Sequence, residues 1–312
     1  MKQLTFNIFI FIIFPSFLFG QHSEADSIRV YFLGGQSNMD GYGHNSELPE
    51  TLNKNFEDVW IFHGNSLRDD QLNGGSGKWD ILAPGHGRGF SSDGNNNKLS
   101  NFFGIELSFV RRLQELEPGQ KIAVIKYSRG GSSIDSLAAG RFGSWEADYR
   151  GLNGMNQYDY FLNTVKKALN TRDIDKDGKR DILIPAGIIW MQGESDAAYT
   201  EEIANRYYSN LKRLMDMIRA SFLTDDLPVV IGKISDSHND TDGKVWEYGE
   251  LVQYAQEKYV KTDENAAIVR STEHYDYSDP WHYDSMGYID LGEKFAEAVH
   301  KLNNDQVARQ QR

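Results

Sequence analysis

The stretch that decides the fold is Ile-Arg-Val-Tyr-Phe-Leu-Gly-Gly-Gln-Ser-Asn-Met at residues 28–39. Its first half is rich in β-branched and aromatic residues, which predicts a strand, and its second half is a polar turn with two glycines. Open α/β sheets carry their reactive groups just outside the carboxyl ends of the strands, which is where this turn places Ser37. We therefore predict that Ser37 is a nucleophile. The turn by itself is equally typical of a polar loop in which Ser37 only caps a helix.

Strands and helices alternate along the rest of the chain. Apolar runs predict further strands at residues 58–62, 121–127, 181–190, 228–234 and 266–269, and apolar periodicity predicts helices at residues 103–116, 161–169, 200–222, 245–259 and about 287–302. Near-continuous apolar strands are typical of a parallel sheet that is covered on both faces. The sequence therefore predicts a three-layer α/β/α sandwich with a mainly parallel sheet and right-handed crossovers. The polar tail at residues 303–312 is predicted to be frayed.

The amino terminus is typical of a secretory signal peptide. Lys2 precedes an apolar core at residues 6–19, which small or polar residues follow, and this core is short for a membrane span. We predict a signal peptide at residues 1–20 and one mature domain at residues 21–312, in a protein that is secreted or periplasmic. An uncleaved anchor is the alternative. No second long apolar run occurs, so no membrane association is expected after the signal peptide is removed.

The composition excludes several classes of chemistry and of partner. The chain has no cysteine, which excludes disulfides, thiolate metal sites and a cysteine nucleophile. A formal net charge of -12 disfavours binding to nucleic acid or to anionic lipid, because both need clustered positive charge. A neutral or weakly charged substrate fits this composition better.

Two more predicted strands end in turns that can face a ligand. Ser-Arg-Gly-Gly-Ser-Ser at residues 128–133 follows one of them, and glycines let backbone N–H groups approach a ligand without interference from Cβ. A simple tight turn is an equally good interpretation of this segment. Met-Gln-Gly-Glu-Ser-Asp at residues 191–196 follows the next strand and should reach the same edge of the sheet.

A candidate base lies near the end of the chain. Asp279 and His282 are three residues apart, and Pro280 between them limits the backbone. One turn can therefore bring the carboxylate to Nδ1 of the imidazole, so that Nε2 faces the nucleophile. A lone histidine is more often structural, but this pair in a chain that begins with a strand and a Gly-x-Ser turn predicts a base for Ser37.

Together these motifs resemble a known family. They are Gly-Gln-Ser-Asn-Met at residues 35–39, Gly-Gly-Ser at 130–132, Trp-Met-Gln-Gly-Glu-Ser-Asp at 190–196 and Asp-Pro-Trp-His at 279–282. In this order they resemble the sialate O-acetylesterase-like and acetyl xylan esterase group of carbohydrate esterases, within the SGNH hydrolase superfamily. The resemblance runs from about residue 29 to residue 300 and implies the SGNH or flavodoxin-like form of the predicted fold.

The resemblance also implies residue roles. Ser37 would be the nucleophile, His282 the general base and then the general acid, and Asp279 the carboxylate that orients the imidazole. The oxyanion hole would consist of the N–H groups of Ser37 and Gly131 and the side-chain amide of Gln192. Such donors stabilise the tetrahedral intermediate.

Two departures from the wider superfamily narrow the assignment to the carbohydrate esterase branch. Gln36 stands where aspartate is commoner, and Gln-Gly-Glu at residues 192–194 replaces a Gly-x-Asn-Asp motif. In some relatives a glutamate at the place of Glu194 is proposed to help hold the histidine, so Glu194 could share or take over the role of Asp279. Alternatively, Glu194 and Asp196 brace the turn through hydrogen bonds to the backbone.

The resemblance implies a serine esterase that removes O-acetyl groups from acetyl xylan or a related acetylated glycan, with no metal or organic cofactor, and the predicted signal peptide implies that this esterase is secreted. Sialate O-acetylesterase activity, acetyl transfer to another sugar and non-catalytic carbohydrate binding on the same fold are the alternatives. Specificity should lie in the loops at residues 40–101. The aromatic and histidine side chains of these loops either stack on a sugar or pack under their own loops. They are Trp60, His63, Trp79, His86 and Phe90. Arg129 either positions a sugar hydroxyl or pairs with an acidic neighbour.

One acidic segment is a weak candidate for a cation site. Asp173, Asp175 and Asp177 alternate along the chain and Gly178 follows, as in the first half of an EF-hand calcium loop. The twelfth place of such a loop would be Ile184, so the bidentate glutamate is missing. We therefore favour a solvated turn before a strand over a calcium site.

Overall fold

A computed structural model describes residues 27–67, 71, 73–151 and 155–311, so the predicted signal peptide lies outside the described residues. The strands are β1 (Ser27–Gly35), β2 (Gly43–His44), β3 (Phe56–His63), β4 (Trp79–Leu82), β5 (Ser91–Ser92), β6 (Asn97–Lys98), β7 (Phe102–Phe103), β8 (Lys121–Ser128), β9 (Ile182–Met191), β10 (Val229–Gly232) and β11 (Ala266–Val269). The helices are α1 (Ser37–Asp40), α2 (Glu106–Leu116), α3 (Gln157–Asn170), α4 (Glu194–Ala197), α5 (Glu201–Ser221), α6 (Gly249–Thr262) and α7 (Ser285–Gln310). None of these helices, which are those of the described residues, has the length and apolar character to cross a membrane.

Seven strands form the central sheet, in the order β11-β10-β9-β1-β8-β3-β4. All neighbouring strands are parallel except β3 and β4. The run β8-β1-β9-β10-β11 has the strand order of a flavodoxin-like sheet, and β3 and β4 extend it beyond β8. The predicted α/β fold with a mainly parallel sheet is confirmed.

The central strand β1 is buried because helices cover both faces of the sheet. Successive side chains of a strand point to opposite faces. Tyr31 packs against Phe109 of α2, with ring centroids 5.4 Å apart, whereas Phe32 packs against Phe161 of α3 at 4.8 Å. α7 lies beside α2, and α6 lies beside α5. The apolar core therefore occupies both sides of the sheet.

The strand order reverses at β1, which lies between β8 on one side and β9 on the other. Gly35, the last residue of β1, pairs with Ser128 at the end of β8 and with Met191 at the end of β9. Ligands of open α/β sheets bind outside the carboxyl ends of the strands at such a switch point. This register brings the three predicted turns to one edge of the sheet.

The carboxyl-terminal tail differs from its prediction, because α7 continues to Gln310 instead of ending near residue 302. Asn303 donates to the carbonyl of Ala186 at 3.1 Å, and Gln306 donates to the carbonyl of Asp226 at 3.0 Å. These hydrogen bonds hold the polar last turns of α7 against the rest of the domain, so the prediction of a frayed tail was wrong.

The loop-rich segment at residues 40–101 also contains more structure than the single predicted strand. β4 pairs with β3 in antiparallel orientation at the edge of the sheet, and β5 pairs with β6. β4 has only four residues, of which the first and last are buried. So short a segment has no periodicity that a sequence could show.

Candidate active site

The candidate nucleophile lies in a tight connection between β1 and α1. Gly35 has φ +145°, and a Cβ there would lie 1.9 Å from the carbonyl oxygen of Met191, so this position requires glycine. Ser37 is the first residue of α1 and is only 7% exposed. Among the described residues no acceptor binds its backbone N–H. The serine therefore presents a hydroxyl and an amide at the edge of the sheet.

The candidate base is anchored by a carboxylate in the loop before α7. Nδ1 of His282 lies 2.7 Å from Oδ2 of Asp279. Oδ1 of Asp279 accepts the backbone N–H groups of Trp281 at 2.8 Å and of His282 at 2.9 Å. Burial raises the pKa of Asp279, but these hydrogen bonds outweigh it and the net pKa lies below its usual value. An ionised Asp279 holds the proton on Nδ1 and leaves Nε2 free to accept another.

An aromatic ring supports the same imidazole. Tyr42 stacks on His282 with ring centroids 3.5 Å apart and an interplanar angle of 8°. The guanidinium of Arg88 lies 5.0 Å from the centroid of Tyr42. Burial lowers the pKa of His282, Arg88 lowers it further, and Asp279 only partly restores it. His282 is therefore neutral at neutral pH, as a general base must be.

Ser37, Asp279 and His282 line one cavity of about 680 Å³. Arginine and aromatic side chains line the same cavity: Tyr42, Arg88, Arg129, Arg141, Phe142, Tyr199, Trp246 and Trp281. A volume of this size suits a small ligand such as a sugar ring with its substituent.

The second glycine turn forms the wall beside Ser37. A Cβ on Gly130 would lie 3.4 Å from Cβ of Ser37, so the two segments are in close contact. Gly131 has φ +75°, and a Cβ there would lie 2.4 Å from the ring of Phe142. No acceptor among the described residues binds the N–H of Gly131. Its backbone can therefore donate to a ligand in the cavity.

The structure corrects the prediction for Gln192, which does not line the cavity and is 0% exposed. Its Nε2 donates to Oδ2 of Asp196 at 2.6 Å and to the carbonyl of Ser132 at 3.2 Å. Its Oε1 accepts the hydroxyl of Tyr207 at 3.0 Å. Both amide hydrogens are thus engaged inside the protein, and Gln192 holds two turns together.

Gln36, which the sequence interpretation left without a role, does line the cavity. Its Oε1 accepts the backbone N–H groups of Gly193 at 3.3 Å and of Ser195 at 3.2 Å. Nε2 is therefore the end of the carboxamide that is left to face a ligand. The signal was present in the sequence, because a donor stands at residue 36 where the wider superfamily more often has aspartate.

The acidic residues of the third turn lie apart from His282. Oε1 of Glu194 accepts Nδ2 of Asn38 at 2.7 Å, and burial raises the pKa of Glu194. Asp196 accepts the backbone N–H groups of Ile134 at 3.0 Å and of Asp135 at 2.9 Å, and burial raises its pKa to about 7. Asp279, and not Glu194, is thus the carboxylate in contact with His282.

The loop aromatics that were candidates for sugar stacking lie elsewhere. Trp60 and Trp79 are buried in β3 and β4. His63 stacks on Phe90 with centroids 3.9 Å apart, and its Nδ1 lies 3.3 Å from Nδ1 of His86. None of these residues lines the cavity around Ser37. His63, His86 and Phe90 pack under their own loops, as in the alternative interpretation, and the two tryptophans pack within the sheet.

The acidic segment before β9 forms ion pairs within the chain. Carboxylate oxygens of Asp173, Asp175 and Asp177 all lie within 4.8 Å of one another. Lys121 pairs with Asp175 at 3.0 Å, and Lys179 pairs with Asp177 at 3.3 Å. These lysines favour the interpretation as a solvated turn.

The fold brings a serine, a histidine and an aspartate to the carboxyl edge of a mainly parallel sheet, and serine hydrolases use these three residue types. The sequence matches the family described as carbohydrate esterase, sialic acid-specific acetylesterase, over residues 27–301. The chain belongs to that family and is a carboxylic ester hydrolase. The predicted resemblance to carbohydrate esterases is confirmed.

Solved structures show a similar fold. A protein from Arabidopsis thaliana superposes with a TM-score of 0.60 at 18% identity, covering 88% of this chain and 98% of its own. A carbohydrate acetylesterase from Xanthomonas citri gives 0.59 at 17% identity, covering 88% of this chain and 57% of its own. NanS gives 0.55 at 14% identity, covering 90% of this chain and 99% of its own. A comparison with curated protein sequences returned no match.

Proposed function

We propose that this protein is a secreted serine esterase that removes O-acetyl groups from acetyl xylan or a related glycan through an acetyl-enzyme on Ser37. The observation that carries the proposal is that Ser37 and the bonded pair of His282 and Asp279 line one cavity. Membership of the carbohydrate esterase family supports the acetylated carbohydrate as the substrate. Secretion rests on the amino-terminal sequence alone.

Acylation uses the groups at the sheet edge. Nε2 of His282 accepts the hydroxyl proton of Ser37 while Oγ attacks the acetyl carbonyl carbon. Asp279 stabilises the imidazolium that forms. The imidazolium then gives its proton to the sugar oxygen, and the C–O bond to the acetyl group breaks. Nε2 of His282 then accepts a proton from water, whose oxygen attacks the acetyl carbon. The imidazolium returns this proton to Oγ of Ser37 as the bond from Oγ to the acetyl carbon breaks, and acetate is released.

We infer that three donors stabilise the tetrahedral intermediate. They are the N–H groups of Ser37 and Gly131, together with Nε2 of Gln36 in place of the predicted Gln192. Each donor of this kind is worth about 3 kcal/mol of barrier. Because the amides of Ser37 and Gly131 have no acceptor among the described residues, an oxyanion would satisfy both.

A second candidate is the O-acetyl ester of an acidic sugar such as sialic acid. Arg88, Arg129 and Arg141 line the cavity, and among the described residues none of the three has a carboxylate partner. Nε of Arg129 is buried without an acceptor. Unpaired arginines in a protein of net charge -12 favour a ligand carboxylate, which a guanidinium binds in a bidentate way.

The test is acetate release from p-nitrophenyl acetate, acetylated xylan, acetylated glucose and O-acetyl sialic acid. Wild type is compared with Ser37→Ala and with Ser209→Ala, a matched control on the exposed surface of α5. We expect release by wild type and by the control, and a fall of at least about 10³-fold in Ser37→Ala. Activity that persists in Ser37→Ala would overturn the mechanism. A preference for the sialic acid ester that becomes smaller as the salt concentration rises would favour the second candidate.

A further inference from the structure

Trp281 is the exposed tryptophan of this chain. All six tryptophans lie within the described residues; Trp60, Trp79, Trp145 and Trp190 are buried, and Trp246 is partly buried. Trp281 is 51% exposed and lines the cavity. An indole gains most from burial, so one that stays exposed at a cavity is a candidate ligand contact.

Exposed aromatic rings concentrate at this cavity. Among the described residues the exposed aromatic side chains are Tyr199 at 48%, Tyr254 at 70% and Trp281 at 51%. Tyr199 and Trp281 both line the cavity, whereas Tyr254 lies on α6 and does not. Two of these three exposed rings therefore lie at the cavity.

The backbone of Trp281 is fixed on both sides of its exposed ring. Its N–H donates to Oδ1 of Asp279 at 2.8 Å, and its carbonyl accepts Nδ2 of Asn38 at 3.2 Å. Its ring stands edge-on to the imidazole of His282, with centroids 6.3 Å apart and an interplanar angle of 73°. The backbone that carries the ring is therefore held at a set position beside the base, which limits the ordering needed when the ring binds a ligand.

The chemistry decides which part of a substrate meets this ring. His282 must reach the oxygen of the leaving alcohol in order to protonate it, so the alcohol lies on the His282 side of Ser37. Trp281 is the chain neighbour of His282 on that side. Sugar rings carry faces of C–H groups that pack on an aromatic plane. We propose that Trp281 is a sugar-binding platform that holds the ring of the leaving alcohol by stacking, with Tyr199 as a second aromatic contact.

This inference rests on the proposed function for its ligand, and its test is made independent of turnover. Binding of glucose pentaacetate to Ser37→Ala is measured by titration calorimetry, alone and combined with Trp281→Ala, Trp281→Phe or Tyr254→Ala. We expect about a tenfold weaker Kd for the Trp281→Ala combination, from loss of the stacking surface. Trp281→Phe should keep most of the affinity because it keeps an aromatic face, and the Tyr254→Ala control should keep all of it.

A second readout separates stacking from support of His282. In enzyme that keeps Ser37, the Trp281 and Tyr254 variants are compared on two substrates. These are glucose pentaacetate and methyl acetate, whose alcohol has no ring to stack. We expect Trp281→Ala to lower kcat/KM for the sugar ester at least about tenfold more than for methyl acetate. Equal losses on both esters, or an unchanged Kd in the calorimetry, would overturn the platform. Lost acetate release in wild type with a Trp281-dependent Kd would overturn the esterase proposal alone.

Discussion

At the scale of single residues, the imidazole of His282 is fixed by two different contacts. Asp279 binds one edge of the ring through Nδ1, and Tyr42 covers one of its faces. A ring held at its edge and its face has one orientation available. The remaining nitrogen, Nε2, is then the atom that exchanges protons with Ser37 and with the substrate.

The two candidate carboxylates can be separated by amide variants of the same shape. We expect Asp279→Asn to lower kcat by about 10³-fold or more, because an amide no longer fixes the tautomer or stabilises the imidazolium. Glu194→Gln should cost less than about tenfold, since Glu194 contacts Asn38 and not His282. Steady-state hydrolysis of p-nitrophenyl acetate measures both. A larger loss in Glu194→Gln than in Asp279→Asn would contradict the assignment.

The pH profile reports the surroundings of His282. Its pKa lies below the ordinary value of about 6.5, so kcat/KM should stay high at pH 6.5 and fall only as acid protonates the ring. Arg88 contributes to that lowering by its positive charge. In Arg88→Met the pKa of His282 rises, and the acidic limb of the profile should move to higher pH. A limb that stays in place or moves to lower pH would contradict this account of the charge.

The oxyanion donors show what sequence alone could decide. The motif at residues 35–39 placed Ser37 correctly at a strand end, because the β-branched and aromatic run before it predicts a strand that stops at the polar residues. Gln192 and Gln36 could not be told apart in this way. Both follow strands that end at one edge, and it is the hydrogen bonds of Gln192 with Asp196, Ser132 and Tyr207 that turn its side chain inward.

At the scale of elements, a buried lysine connects the sheet to the segments that carry the site. Nζ of Lys126 on β8 donates to the carbonyl of Asp40 at 2.9 Å, to the carbonyl of His86 at 2.8 Å and to Oε2 of Glu106 at 2.8 Å. Asp40 ends α1 and Glu106 begins α2. The side chains of Lys126 and Glu106 are both 0% exposed.

Replacing one member of the Lys126–Glu106 pair should lower the stability of the fold. Lys126→Met leaves Glu106 as a buried, unpaired carboxylate, and we expect a loss of about 3–5 kcal/mol in the free energy of unfolding. The double variant Lys126→Met, Glu106→Met should lose less than the sum of the two single variants, because neither charge remains. Urea unfolding at pH 7 measures the cycle. Additive losses, or a loss below about 1 kcal/mol in Lys126→Met, would contradict the connecting role.

Some strands and helices have a sequence pattern that predicts them, and others do not. β8 and β9 are long apolar runs, which are typical of strands covered on both faces of a parallel sheet. The end of α7 was missed because its last turns are polar and gain their support from Ala186 and Asp226, which lie far away in the sequence. β4 was missed because four residues carry no period.

At the scale of the whole molecule, the negative net charge does not predict which charged side chains line the cavity. The composition favoured a neutral or weakly charged substrate, yet Arg88 from the β4–β5 connection meets Arg129 and Arg141 from the β8–α3 connection around Ser37. Their convergence depends on the fold, so no local pattern could reveal it. The histidines are distributed just as unevenly, since His63 and His86 are completely buried beside each other.

These buried histidines make the stability of the molecule sensitive to acid. Burial lowers the pKa of both, that of His86 to about 3, so the unfolded chain binds protons near pH 6.5 that the folded chain does not. Stability is therefore present above pH 6.5 and falls as the pH decreases. Compared with His86→Gln, wild type should lose about 1.4 kcal/mol more for each pH unit below 6.5. Urea unfolding at pH 7, 6 and 5 measures this difference, and parallel slopes would contradict it.

The central claim is a covalent acetyl group on Ser37, and rapid quenching tests it most directly. Wild type is mixed with excess p-nitrophenyl acetate, quenched in acid within the first turnover, and analysed by intact mass and peptide mapping. We predict one added acetyl group per chain on the peptide that contains Ser37, and none on that peptide in Ser37→Ala. An acetyl group found on another residue of wild type would contradict the claim. So would steady hydrolysis by both wild type and Ser37→Ala with no acetylated chain in either.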